Sequence, residues 1–163
     1  MIHEAAQNLE PAAICAAVSD LRLGGSDPFV DGELEGGECR IFKISFKDHP
    51  SLSVRINHPL RESQQDAIAN VDMETRIIRT LEEKGFPWSP RYRAASLTFD
   101  NPINYPFAVL DWAEGVPLQW DDDSPSQPTR DTLLAQLAAI QLSLITCTME
   151  NRMQICQPLV GIN

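Results

Sequence analysis

Between Cys39 and Asn57 the chain alternates twice. Phe42, Ile44 and Phe46 are set against Ile41, Lys43 and Ser45, and after the turn "KDHPS" Leu52, Val54 and Ile56 are set against Ser53 and Arg55. A period of two sends successive side chains to opposite faces, so each run is a strand with one apolar face. Joined by a short turn, the two strands pair antiparallel. Immediately upstream, "DGELEGGECRIFKISF" carries Gly32, Gly36 and Gly37, a glycine-rich hairpin turn leading into the first run. A sheet with one apolar face needs helices to cover it, and this requirement limits the fold more than any other feature.

Helical patterns supply the cover. Pro11 suits a first helical turn, and Ala12 to Leu23 carries Ile14, Val18 and Leu21 at helical spacing before Gly24-Gly25. Gln65 to Lys84 reads as a second helix, stopped by Gly85 and Pro87. "RYRAASLTFD" and "YPFAVLDW" read as two further strands around the turn "NPIN". The polar stretch from Asp121 to Arg130 is a loop leading to a helix N-cap at Thr129 or Asp131. Leu133, Leu134, Leu137, Ile140, Leu144 and Ile145 then define an amphipathic helix to about Met149, followed by an unpatterned tail.

Helix, glycine-rich hairpin, strand, helix, two strands, loop and helix make an α+β chain with an antiparallel sheet of about five strands. The expected organisation is an N-terminal helical segment over 1–26, a sheet domain over 27–118, a loop and helix over 119–150, and a tail over 151–163.

Composition narrows the partners. The formal net charge of −10 repels a phosphate backbone, which argues against nucleic-acid binding, although a bound nucleotide needs only local donors. No basic run points to an anionic membrane, and no stretch is expected to reach the roughly 20 apolar residues of a span. Glu4, Glu10 and Asp20 interrupt the first twenty residues, which argues against a secretory signal and for a cytoplasmic chain. Cys15, Cys39, Cys147 and Cys156 lack C-x-x-C spacing and read as ordinary thiols in a reducing compartment. His3, His49 and His58 are scattered, so no zinc site is expected.

One residue breaks the pattern. On the second helix Ile68, Val71, Thr75, Ile78 and Leu81 share an arc, and Glu74 falls inside it. A carboxylate on a buried stripe is costly without a cation. Arg55, midway along "LSVRIN", is the cation a helix packed on this sheet would meet. A glycine-rich turn, a cation on the next strand and an acid on the next helix follow one another in the order of a protein-kinase-like N-lobe.

Residues from about Phe29 to Thr148 resemble the N-terminal part of the aminoglycoside phosphotransferase and choline-kinase-like group, and most of all its large fungal branch. The stretches that carry the resemblance are "LEGGECRIFKISF", "LSVRIN", "METRIIRTLEEKGFPWSPR", "YPFAVLDWAEGVPL" and "LLAQLAAIQLSL". The resemblance implies a loop at Gly36-Gly37 over nucleotide phosphates. It implies Arg55 in the place of the usual phosphate-binding lysine, with Glu74 orienting it. It further implies a hinge at Val109, Leu110, Asp111 and Trp112 whose backbone holds adenine, and a linker beginning at Glu114-Gly115. ATP is the cofactor this implies.

The family's catalytic loop, H-G-D-x-x-x-x-N, is absent from these 163 residues, as is a later D-F-G or D-x-E segment. Mg²⁺ is therefore not expected, and phosphoryl transfer lacks its base and metal ligands. Asp111-Trp112 superficially matches the family's "D-W-E", but it lies where the hinge belongs, so Asp111 is expected to end a buried strand. Asp121, Asp122 and Asp123 read as a solvated surface, since calcium loops space their acids alternately. The expected function is that of a truncated phosphotransferase-like N-lobe without catalysis of its own. The alternative is an interaction module that self-associates or binds a protein through apolar surface, including part of the Leu133–Ile145 helix.

Overall fold

The computed structural model describes residues 7–59, 63–115, 118–121 and 124–155, with side chains through Thr148. The chain is α+β. Five strands, β1 (Phe29–Glu35), β2 (Cys39–Ser45), β3 (Leu52–Asn57), β4 (Tyr92–Ser96) and β5 (Phe107–Asp111), form one sheet in the order β1-β2-β3-β5-β4. Every neighbouring pair is antiparallel. Three helices accompany them: α1 (Pro11–Asp20), α2 (Gln64–Glu83) and α3 (Gln127–Ile155). The arrangement is consistent with a kinase-like N-lobe followed by a helix.

The alternation in the sequence sets the register. Phe42 lies opposite Val54, and Val54 opposite Val109, on the apolar face. Ile41, Arg55 and Ala108 line up on the other face, one residue along. A slip by one residue would exchange the two faces, which fixes the pairing wherever one face is buried. The core contains Phe42, Ile44, Leu52, Val54, Ile56, Phe107 and Val109 from the strands, with Ile14, Ala17 and Val18 from α1.

Ile103 and Tyr105, from the connection between β4 and β5, are buried in the same core. The turn expected at "NPIN" is present, but it is a structural plug as much as a surface loop. Asn101 holds it closed: its Nδ2 donates to the carbonyls of Thr98 (2.6 Å) and Tyr105 (3.0 Å), and its Oδ1 accepts from the Ile103 amide (2.8 Å). The chain before α1 joins the same unit, because the Asn8 amide donates to the Ile103 carbonyl at 2.8 Å.

Helix boundaries differ from the pattern in three places, each for a local reason. α1 ends at Asp20, not at Leu23, because Leu21 caps it and Arg22 turns left-handed (φ 53°). α2 begins at Gln64 behind a reciprocal cap. The Asp66 amide donates to Ser63 Oγ (3.2 Å), and the Ser63 amide donates back to Asp66 Oδ2 (3.1 Å). This is a capping box with Asp in the Glu position. The Ser63 hydroxyl and amide hold the Asp66 carboxyl below its ordinary value, so its contribution to α2 is present above the carboxylate range and fades as pH falls through the lowered value.

α3 begins after Ser126, with Pro128 in its first turn, three residues before the earlier of the two expected caps, and runs on to Ile155. Residues 156–163 of the expected tail lie outside the described residues. α3 also departs from simple amphipathicity. At about 100° per residue, Leu133, Leu137, Ile140 and Leu144 form one stripe, whereas Leu134, Leu142 and Ile145 spread round the helix. Within Gln127–Thr148 a window of 18 residues reaches a mean hydropathy of 1.2, long and apolar enough by length and composition to cross a membrane. The expectation that no stretch would reach that length fails because the glutamines, serine and threonines between Asp131 and Glu150 carry no charge.

The chain divides into two compact units. One holds α1, the sheet and α2 as far as Thr80; the other holds Leu81–Ser89 and the chain after Ala113. α1 falls within the sheet unit. In the second unit Lys84 Nζ donates to the Cys147 carbonyl of α3 at 2.6 Å. The Arg130 guanidinium donates to the carbonyls of Asp121, Ser124 and Pro125 and lies over the Trp120 ring.

Two glycines give opposite forecasts. Gly25 has φ +79°, and a Cβ there would lie 2.4 Å from Phe46 Cδ1. Gly37 has nothing within 4 Å of such an atom. Gly25→Ala is expected to cost about 1–3 kcal/mol, through overpacking and a left-handed backbone. Gly37→Ala should stay within about 0.5 kcal/mol. Urea unfolding of both variants checks the pair, and equal losses would contradict it.

Candidate functional site

The site expected from sequence has three parts, and all three lie in the sheet unit. The β1–β2 turn carries Gly36 and Gly37, closed by the Gly36 amide donating to the Cys39 carbonyl (2.9 Å). Neither glycine is needed for a left-handed backbone. Their smallness leaves the turn's outer side open.

His58, at the end of β3, braces this turn. Its Nε2 lies 2.9 Å from the Gly36 carbonyl oxygen, and its amide donates to the Glu38 carbonyl at 2.9 Å. In the sequence His58 neither completes a zinc set nor begins an H-G-D motif, and no role is expected for it. Its place directly after β3, opposite the start of β2, was the available signal: Cys39 pairs with Asn57.

Arg55 and Glu74 meet. Arg55 Nε lies 2.5 Å from Glu74 Oε1, with both side chains roughly three-quarters buried. The Nε hydrogen does not aim at that oxygen, so the contact is a close ion pair and not an aligned hydrogen bond. Because Glu74 meets the Nε edge, the pair leaves the two terminal guanidinium nitrogens unconsumed. An arginine held by one edge presents a two-pronged donor, the geometry suited to phosphate or carboxylate oxygens.

Lys43 and Trp112 give this face a second cation and an aromatic ring. The Lys43 ammonium lies 5.6 Å from the Trp112 ring centroid and 2.9 Å from Asp31 Oδ2. The Lys43 hydrogen bond, followed by that of Ser45, lowers the Asp31 carboxyl below its ordinary range.

β5 is an interior strand, flanked by β3 and β4. The backbone of Val109 and Leu110 therefore belongs to two ladders, and the Leu110 carbonyl also accepts from Ser53 Oγ at 3.3 Å. The Asp111 amide donates to the Arg91 carbonyl (2.9 Å), and the Trp112 amide to the Ser51 carbonyl (3.2 Å). Of the four expected hinge residues, Val109 and Leu110 thus form the floor.

Asp111 has a structural partner. Arg93 on β4 grips its carboxylate with two donors, Nε to Oδ1 at 2.5 Å and Nη2 to Oδ2 at 3.0 Å. This cross-strand fork closes the end of the sheet and explains the acid without a metal. Among the described residues, no three His, Cys, Asp or Glu side chains gather as a metal group. Asp122 and Asp123 lie outside the described residues. Cys15, Cys39 and Cys147 are free thiols, Cys39 buried and the other two half-buried; burial raises the Cys15 thiol above its ordinary value. Comparison with protein-family models, with curated proteins and with solved structures finds no match to this chain.

Proposed function

We propose that the sheet unit is a nucleotide-binding platform of the aminoglycoside-phosphotransferase-like kind, and that these 163 residues do not transfer phosphoryl groups unaided. The Arg55–Glu74 ion pair carries this reading: a strand cation is fixed by a helix acid on the face below a glycine turn. A nucleotide would place its phosphates between Arg55 and the open side of Gly37, and its base beyond Trp112. The chemistry that follows binding in this family needs an aspartate base and metal ligands that the sequence does not contain.

Titration with Mg-ATP under thermal unfolding tests the platform. A ligand that binds only the folded state at ten times its Kd contributes about 1.4 kcal/mol, a rise of several degrees for a unit of this size. No rise up to millimolar nucleotide rejects the proposal. Labelled ATP with small alcohols and amines should yield no product, and transfer by the purified chain would overturn the second clause.

A second reading has its own observation. Leu134, Leu137, Leu142 and Ile145 of α3 are each about half exposed or more. We infer that this surface drives association, by a second copy or another protein. Light scattering on a size-exclusion column should show mass rising with concentration. A monomer at every concentration removes this reading.

A further inference from the structure

At the end of β2 remote from the glycine turn there is a recess of about 290 Å³. It is lined by Val18, Ser19, Leu23, Pro28 and Phe46, with Arg22 and the Gly24-Gly25 backbone at its edge. Seven residues of strand, roughly 23 Å, separate it from Gly36-Gly37. It therefore stands apart from the nucleotide reading and does not depend on it.

Three features of the recess bear on what it can hold. The backbone is held in costly conformations: Arg22 and Asp27 have φ of 53° and 52°, flanking two left-handed glycines. A non-glycine residue in that region costs of order 1 kcal/mol, and at Arg22 the same turn ends α1. Gly25 is sterically required, since a Cβ there would strike Phe46, whereas Gly24 is favoured by its left-handed backbone (φ +88°), a Cβ there making only ordinary contact with the His49 ring. Finally, the amides of Gly24 and Gly25 donate to no other described residue, and Arg22 forms no ion pair among the described residues.

A cation and two unused amides therefore sit at the edge of an apolar floor. Of the nearby acids, Asp48 Oδ1 accepts from the Ser26 amide at 2.9 Å, and none of Asp20, Asp27 and Asp48 lines the recess. Phe46 is held edge-on to His49, ring centroids 5.4 Å apart, which keeps its other side toward the recess. Successive amides with a guanidinium make an anion site, and Val18, Leu23, Pro28 and Phe46 make an apolar one. We propose that this recess binds a small organic carboxylate with an apolar body, the carboxylate on Arg22 and the Gly24-Gly25 amides, the body on Phe46.

Phenylbutyrate is a suitable probe, with neutral phenylbutyramide as its comparator, followed by amide NMR of the ¹⁵N-labelled full chain. Saturable shifts centred on Gly24, Gly25 and Phe46 are expected with the acid. Arg22→Gln should weaken them about tenfold or more, the value of a charge-assisted hydrogen bond, and the amide on wild type should be weakened similarly. If Arg22→Gln unfolds, the acid–amide comparison on wild type still decides. Equal binding of acid and amide, shifts confined to α3, or no saturable shift would each overturn the proposal.

Discussion

Phe107→Ala is expected to lower the unfolding free energy of the sheet unit by about 3–5 kcal/mol, enough to leave much of the protein unfolded at 37 °C. Phe107 is 1% exposed and opens β5, the strand that β3 and β4 both pair with. Its ring lies in the cluster that joins α1, the strands and the Ile103 plug. Truncation removes the transfer energy of the ring and leaves a cavity that a central strand relaxes poorly to fill. An exposed counterpart, Phe29→Ala on the edge strand, should cost below about 1 kcal/mol, since Phe29 is 52% exposed. Urea midpoints with matched slopes check the contrast. Similar losses at the two sites would show that the core has been misplaced.

Arg55→Ala is expected to abolish the Mg-ATP-dependent rise in melting temperature. It also costs about 1–3 kcal/mol without nucleotide, because Glu74 is left three-quarters buried and without its cation. The two effects separate if each variant is compared with itself, with and without nucleotide. Glu74→Gln supplies the complementary case. It leaves the cation but removes its anchor, so the nucleotide response should shrink without vanishing. Arg55→Lys keeps the charge and loses the planar fork, and should fall between them. In a double-mutant cycle the pair should couple by about 0.5–3 kcal/mol. A rise in melting temperature that survives Arg55→Ala would show that nucleotide binds elsewhere, and would remove the role proposed for the glycine turn.

How far the site was legible depends on the kind of residue. Glu74 was conspicuous because a carboxylate on an apolar arc is a local contradiction, and its resolution required a cation from a strand one register step away. Arg55 met both conditions. The Asp111 fork was not legible, because Arg93 is eighteen positions away on a strand whose pairing the alternation did not specify. Nothing in "LDWAEG" distinguishes a metal-facing carboxylate from one gripped across a sheet. His58 was overlooked for the same reason: a histidine in an irregular segment has no periodicity to place it, and its bond to the Gly36 carbonyl exists only once β2 and β3 are paired.

Local chemistry fixed the strands and their faces, the glycine turn and the body of α2, because alternation, helical spacing and turn residues act over a few positions and need no distant partner. Tertiary structure decided the rest. Insertion of β5 between β3 and β4 placed the backbone of Val109 and Leu110 in two hydrogen-bonded ladders at once. The left-handed Arg22 ended α1 early and shaped a recess that no pattern announced. These outcomes depend on which backbone groups find partners across long sequence separations, and a pattern read along the chain carries no information about that pairing.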